Sequence, residues 1–443
     1  MLVEFSVGNF RSFLQPVTLS MQAAKLRASD KRLDQENVFQ ANGTSLLRSA
    51  AIYGANASGK SNLIRALLFM RNFVLRSSTE SQAEEPIKVD RFRLSTVARE
   101  TPAHFQIVFC LDGRRYRYGF EVDEHRVRAE WLYHTQQRET RLFVREGDQY
   151  DISNVFREGR GLEGRTRNNA LFLSVVAQFN GQLATTLLGW FRSQLGIISG
   201  LRDAAYGLFT VRRFGADEAL RRRILAFVRE ADLSISDIDV ETRSLGKAQM
   251  PGDVRGVLEW LTKLDRAPGK PRMDEGSLMV SEVRTTHGVF DEEHNPAGLE
   301  TFDLDGQESE GTQKIFYLSG PLLDTLEHGK VLVIDEMEAR LHPFITRAVI
   351  QLFNSSQTNP HNAQLVFATH DASLLGSRYF RRDQIWFTEK DQYGATDLYS
   401  LAELKVRKDA SFDKDYIAGK YGAVPFIGGL QSLFEEHPDG ETA

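Results

Sequence analysis

Lys60 and Ser61 end a run, Gly54-Ala55-Asn56-Ala57-Ser58-Gly59-Lys60-Ser61, that fills every fixed position of the pattern G-x-x-x-x-G-K-[ST]. Its glycines let the backbone turn N–H groups inward around β- and γ-phosphates. Lys60 neutralises their charge, and Ser61 offers a hydroxyl to Mg2+. The chemistry is the holding of a nucleotide's phosphates, with Gly54, Asn56, Ala57, Ser58, Gly59, Lys60, Ser61 and Asn62 as candidate contacts. A pair of carboxylates could use that cradle. Asp335 and Glu336 follow the apolar run Val331-Leu332-Val333-Ile334, which delivers them at the end of a buried strand. Asp335 is placed to hold Mg2+ through water, and Glu336 to polarise the water that attacks the γ-phosphate in line. A further apolar run, Leu365-Val366-Phe367-Ala368, reads as a buried strand with His370 at its end.

These residues need elements to hold them. Ala50-Ala51-Ile52-Tyr53 reads as a short buried strand before the cradle, and the residues from Lys60 to about Arg76 have helical spacing after it. The opening residues read as a hairpin, Leu2 to Val7 and Val17 to Met21, around Gly8-Asn9 and Phe10-Arg11-Ser12-Phe13. His104 to Leu111, Tyr116 to Val122, Val127 to His134 and Thr140 to Arg145 alternate as an antiparallel meander, with Asp112-Gly113 as a tight turn. Arg157 to Arg167 reads as a mobile loop, followed by the apolar stretch from Asn168 to Gln178. Helical patterns cover Leu183 to Gln194 and Ala216 to Asp232, and Lys263 to Gly276 reads as a linker or lid. Glu308-Ser309-Glu310-Gly311-Thr312-Gln313-Lys314 opens a helix to about Glu327, which Pro321 should kink.

Composition sets the class. The 443 residues are 41% hydrophobic and 26% charged, as in a globular protein of one large or two ordinary domains. Without a basic leader or a long apolar run, the chain is expected in the cytoplasm, with no membrane contact. The one cysteine, Cys110, reads as a buried small hydrophobe, and a net charge of −5 does not support broad nucleic-acid coating. Arg212, Arg213, Arg221, Arg222 and Arg223 could touch nucleic-acid phosphates. Beside Asp217, Glu218 and Glu230 they read better as solvated or ion-paired helix positions.

The opening strand with Asn9-Phe10-Arg11-Ser12-Phe13, followed some forty residues later by the cradle, resembles the ABC-type ATPases of the SMC and DNA-repair branch. That resemblance implies an α/β fold: an ABC-type P-loop core with an antiparallel β-subdomain and a helical or mixed insertion lobe. Residues 1–180 and 301–443 would form the core, and 181–300 the lobe. It also implies that Arg11 approaches the nucleotide and that Gln178 is the glutamine at a strand-to-helix junction that reaches Mg2+. Ser309 and Gly311 would be the signature loop, and His370 the switch histidine at the γ-phosphate. Because such sites are composite, a homodimer is implied, with assembly beyond it left open.

Tyr53-Gly54 through Ser61, Asn169-Ala170-Leu171-Phe172-Leu173-Ser174, Glu308 to Lys314, Asp335-Glu336 with Ala339-Arg340-Leu341-His342-Pro343, Thr369-His370-Asp371 and Arg381 to Phe387 together look like a bacterial AAA-family ATPase of the ABC-like abortive-infection group. Members of that group are commonly encoded beside an RloB-type or TOPRIM-type effector nuclease. The resemblance implies an ATP-hydrolysing sensor or regulator of such a partner in anti-phage defence. The alternatives are a repair-type clamp that closes on DNA and an ATP-dependent nuclease of the overcoming-lysogenization type. The stretch after Asp371 is too short for a usual nuclease domain that must share it with the end of the ATPase sheet.

Overall fold

The computed structural model describes residues 1–80, 82, 84–198, 204–232, 234–246, 277–376, 379–407 and 410–425. It divides into two compact units. The first comprises Met1–Arg202, Thr325–Ala339 and Pro343–Ala443, and the second Asp203–Asp324 and Arg340–His342. The linker expected over Lys263 to Gly276 lies outside the described residues.

In chain order the first unit begins with β1 (Leu2–Gly8), β2 (Val17–Ser20), α1 (Lys31–Glu36), β3 (Val38–Ala41), β4 (Thr44–Leu47), β5 (Ser49–Tyr53) and α2 (Lys60–Arg76). The meander follows as β6 (Ala103–Leu111), β7 (Arg114–Val122), β8 (Val127–Thr135), β9 (Glu139–Glu146) and β10 (Gln149–Ile152). Then come α3 (Phe172–Gln178), α4 (Gln182–Gly189) and β11 (Leu195–Ile198). The expected hairpin is present, with Glu4 opposite Ser20 and Val7 opposite Val17. It joins the meander in one antiparallel sheet of order β10-β9-β8-β7-β6-β1-β2. Asp112 and Gly113 both take positive φ, at 47° and 73°, as the two-residue turn between β6 and β7 demands. Cys110 is buried, and burial pushes its thiol up. The stretch from Arg157 to Arg167, expected as a loop, instead contains 3-10 turns at Asn154–Gly159 and Glu163–Arg165.

The second unit holds α5 (Ala204–Ala216), α6 (Glu218–Ala231), the sheet β12 (Ile235–Gly246), β13 (Ser277–Phe290) and β14 (Pro296–Asp303), then α7 (Leu304–Gln307) and the start of α8 (Glu310–His328). Asp217 caps α6 by accepting from Leu220 N–H at 3.0 Å, and α6 buries Leu220, Ile224 and Val228 at i, i+4, i+8. Arginines of α5 and α6 are engaged in ion pairs. Arg213 pairs with Asp217 at 3.2 Å and Asp324 at 3.8 Å, and Arg221 pairs with Asp239 at 3.7 Å. α8 continues through Pro321 as one helix.

The chain returns to the first unit with β15 (Val331–Ile334), α9 (Pro343–Asn354), β16 (Gln364–Ala368), β17 (Ile385–Lys390), β18 (Thr396–Ser400) and α10 (Phe412–Ile417). These strands join β5 and β11 in a sheet of order β11-β15-β16-β5-β17-β18, parallel except for β17 with β18. Ser49–Tyr53, Val331–Ile334 and Gln364–Ala368 are buried at every position, the mark of strands covered on both faces. Gln364, itself fully buried, stitches the two sheets together. Its amide donates to Leu2 O at 3.0 Å and Leu47 O at 3.1 Å and accepts from Leu2 N–H at 2.6 Å. The fold is thus a mixed α/β core with an attached antiparallel sheet. Among the described residues no helix is long and apolar enough to cross a membrane.

Candidate functional site

Strand order brings the chemistry together. In the parallel sheet β5 lies beside β16 and β16 beside β15, with Leu365 opposite Ser49 and Val331 opposite Gln364. All three strands therefore end at one edge, and from that edge leave the Gly54 loop, Thr369-His370-Asp371 and Asp335-Glu336.

The cradle is shaped by its backbone. Gly54, Ala57 and Gly59 have φ of 156°, 63° and 120°. A Cβ on Gly59 would lie 2.6 Å from Thr396 Oγ1 and Cγ2, so both the dihedral and the space require glycine. Gly59 is the N-cap of α2 and supplies no side-chain bond to the helix, which leaves its first N–H groups available to an anion. Asn56 and Ala57 are exposed at the crest. Ser58 is turned the other way: its hydroxyl meets Thr388 Oγ1 at 2.7 Å, and its carbonyl accepts from Thr396 Oγ1 at 2.8 Å. Its side chain thus builds the loop's floor, a use that the spacing alone did not reveal.

Lys60 is buried, with Nζ donating to Gly54 O at 2.7 Å and Ala55 O at 3.0 Å. Burial pushes its ammonium down to about 8, against the opposing pull of Asp335, Glu338 and Glu336. Asp335 is the reverse case. Burial, with help from Glu336, raises its carboxyl, while hydrogen bonding from Ser61 and the charges of Arg65 and Lys60 oppose this. Its Oδ1 is buried without a hydrogen-bond partner. A carboxylate held in this condition, next to a serine hydroxyl, has the donor chemistry to take a hard divalent cation. Glu336 is half-buried and sits at φ 50°, a left-handed conformation that a non-glycine residue keeps only where its surroundings impose it. The His370 ring is held below the usual imidazole range, first by burial and then by Lys60.

Asn62, in the first turn of α2, is tied to the segment that carries Arg11. Asn62 Nδ2 donates to Ser12 Oγ at 2.8 Å, and Thr396 N–H donates to Ser12 O at 2.7 Å. The neighbouring Arg11, at φ 50°, is paired through Nη2 with Asp90 at 2.7 Å. Gln178 falls elsewhere. The segment expected to lead into a strand-to-helix junction is helical, so Gln178 is the exposed last residue of α3 and leads toward α4. The cause lies in a distant residue. Glu130 of β8, fully buried, accepts from Phe172 N–H at 2.6 Å and Leu173 N–H at 3.0 Å and so caps that helix.

In the second unit Ser309 precedes α8 and accepts from Thr312 N–H at 3.1 Å. Thr312 Oγ1 in turn donates to Asp232 at 3.0 Å. A Cβ on Gly311 would stand 3.0 Å from Arg340 O, and Arg340 pairs with Glu310 at 3.1 Å. Two residues of the first unit that sequence reasoning passed over also line the sheet edge. Tyr53 is fully buried with its hydroxyl unpartnered, and Glu338 bonds the His370 backbone. The visible signal for Glu338 was a third acidic residue in Asp335-Glu336-Met337-Glu338.

The family model described as "AAA domain, putative AbiEii toxin, Type IV TA system" matches residues 49–376. The chain belongs to this family. No curated protein matches it. Among solved structures it is similar to the SMC head domain from Thermotoga maritima, at 12% identity and a TM-score of 0.38 over 91% of this chain and 99% of that one. It is also similar to the recombination mediator protein RecF solved with ATP, at 16% identity and a TM-score of 0.31 over 90% of this chain and 97% of that one. The match of the family model runs from β5 to a point just past His370, and so spans the cradle, Ser309, Asp335 and Glu336.

Proposed function

We propose that this chain binds ATP with Mg2+, hydrolyses it, and uses the cycle to regulate a partner effector nuclease in bacterial anti-phage defence. The observation that carries the ATPase reading is the shared strand edge, where Asp335 and Glu336 stand close enough for their charges to act on Lys60, and Glu336 and Lys60 for theirs to act on Asp335. Lys60 and the α2 N-terminus bind the phosphates; Ser61 and Asp335 would hold the cation. The cation's part is to offset charge on the phosphate oxygens. Glu336 orients and polarises the attacking water, and His370, kept neutral, can offer a ring N–H to the γ-phosphate. Arg11, once released from Asp90, would reach the nucleotide.

Two copies would pair so that Ser309 and Gly311 of one complete the cradle of the other, which makes closure depend on ATP. The family description, which names a toxin–antitoxin system, supports a role in controlling a partner. Glu336→Gln should slow turnover by about 10²- to 10⁴-fold while leaving ATP affinity within about twofold. Purified protein that neither retains nor cleaves ATP would refute the ATPase reading. The regulatory reading is tested by pull-down of the neighbouring gene's product with and without ATP. A neighbour that never associates, and whose deletion leaves phage resistance intact, would end it.

A further inference from the structure

The geometry points to Glu338 as a positioning residue that fixes the His370 loop against the Asp335-Glu336 turn. This inference rests on the ATPase reading for its consequence, though not for its geometry. Glu338 lies two residues beyond Glu336, in the turn that leaves β15. Its Oε1 accepts from the backbone N–H of His370 at 2.5 Å, and Met337 N–H of the same turn donates to Ala368 O at 3.3 Å. The turn carrying the water-polarising carboxylate and the loop carrying the histidine are therefore tied both through a side chain and through the backbone.

The other carboxylate oxygen, Oε2, is buried without a hydrogen-bond partner, as are the Tyr53 hydroxyl and Asp371 Oδ2. The fully buried Tyr53 hydroxyl feels both carboxylates, which help burial to raise it well above its ordinary value. Glu338 thus sits among the loops of three neighbouring strands: Tyr53 of β5, the end of β16, and its own turn after β15. A buried acceptor with one oxygen left unmatched costs stability, so packing alone is a poor reason for its presence. Holding a switch side chain in register is a use that explains the cost.

The bond needs an acceptor, not a charge, and this separates the variants. Glu338→Gln keeps an oxygen for the His370 N–H, whereas Glu338→Ala removes it. In full-length protein, Glu338→Ala should lower kcat for ATP by about 10- to 100-fold, the range for losing a hydrogen bond to a charged acceptor. ATP affinity should stay within about twofold, and Glu338→Gln should recover most of kcat. Adding His370→Ala to Glu338→Ala should cost little more, since both remove the same contribution. Backbone amide exchange of a peptide spanning 365–376 should speed up in Glu338→Ala and return to the parental rate in Glu338→Gln.

That exchange readout needs no turnover. If the parent hydrolyses no ATP but the exchange pattern holds, the ATPase reading fails and the positioning stands. If exchange is the same in all three proteins, the positioning is overturned whether or not the parent is an ATPase; in an active parent, Glu338 and His370 losses that multiply overturn it as well.

Discussion

Replacing Glu130 by alanine strips four partners at once from the interior of the first unit. The carboxylate is fully buried, accepts from Phe172 and Leu173 N–H and from the Tyr118 hydroxyl at 2.9 Å, and stands 3.9 Å from Arg145, which is also fully buried. Burial pushes this carboxyl up, against the pull of Arg145 and the three hydrogen bonds. Breaking a buried ion pair by removing one member costs about 3–5 kcal/mol, since the other charge is left uncompensated. Arg145 keeps the carbonyls of Gly147 at 3.0 Å and Ala170 at 2.8 Å, which argues for the lower half of that range. The assay is urea unfolding followed through tryptophan fluorescence. A second variant, Glu130→Leu with Arg145→Met, removes both charges and should lose less than the sum of the single changes. A cost under about 1 kcal/mol for Glu130→Ala, or strict additivity in the pair, would refute the reasoning. The raised carboxyl also sets a sign. The folded protein holds this proton more tightly than the unfolded chain, so the contribution is full below the ordinary glutamate range and is lost as pH rises through the folded value.

Lys60, depressed to about 8, gives a second pH dependence. ATP affinity should fall by about tenfold per pH unit once the pH exceeds that value, and nucleotide titrations between pH 7 and 9.5 would show it. For stability alone the sign is opposite: the unfolded chain holds that proton more tightly, so the protein without nucleotide should gain stability as pH rises from about 8 toward the ordinary lysine value. Gly59→Ala should abolish nucleotide binding, because its Cβ would lie 2.6 Å from Thr396 at a φ that disfavours any side chain; equilibrium dialysis against labelled ATP measures the loss.

Local pattern carried the cradle, its helix and the buried strands. Lys60 to Arg76 reads as a helix from spacing and is one, and Val331–Ile334 is buried throughout as its composition demands. The hairpin of β1 and β2 and the meander follow from alternation and a two-residue turn. What the sequence hid depends on partners far along the chain. Strand order in the parallel sheet, which gathers Lys60, Asp335 and His370, has no local signature. The helix that ends at Gln178 owes its cap to Glu130, forty-odd residues earlier, and a seven-residue apolar stretch cannot announce that by period alone. Glu338 was visible only as one more acidic residue, because a bond from its side chain to a backbone N–H leaves no trace in residue types.

The floor under the Gly54 loop comes from β17 and β18, since Thr388 meets Ser58 across 330 positions of sequence and Thr396 closes the space beside Gly59. During synthesis the ribosome releases the glycine loop long before those threonines. A nascent chain therefore carries the motif while 330 further positions are added before Thr388 can meet Ser58, so the loop gains this floor late.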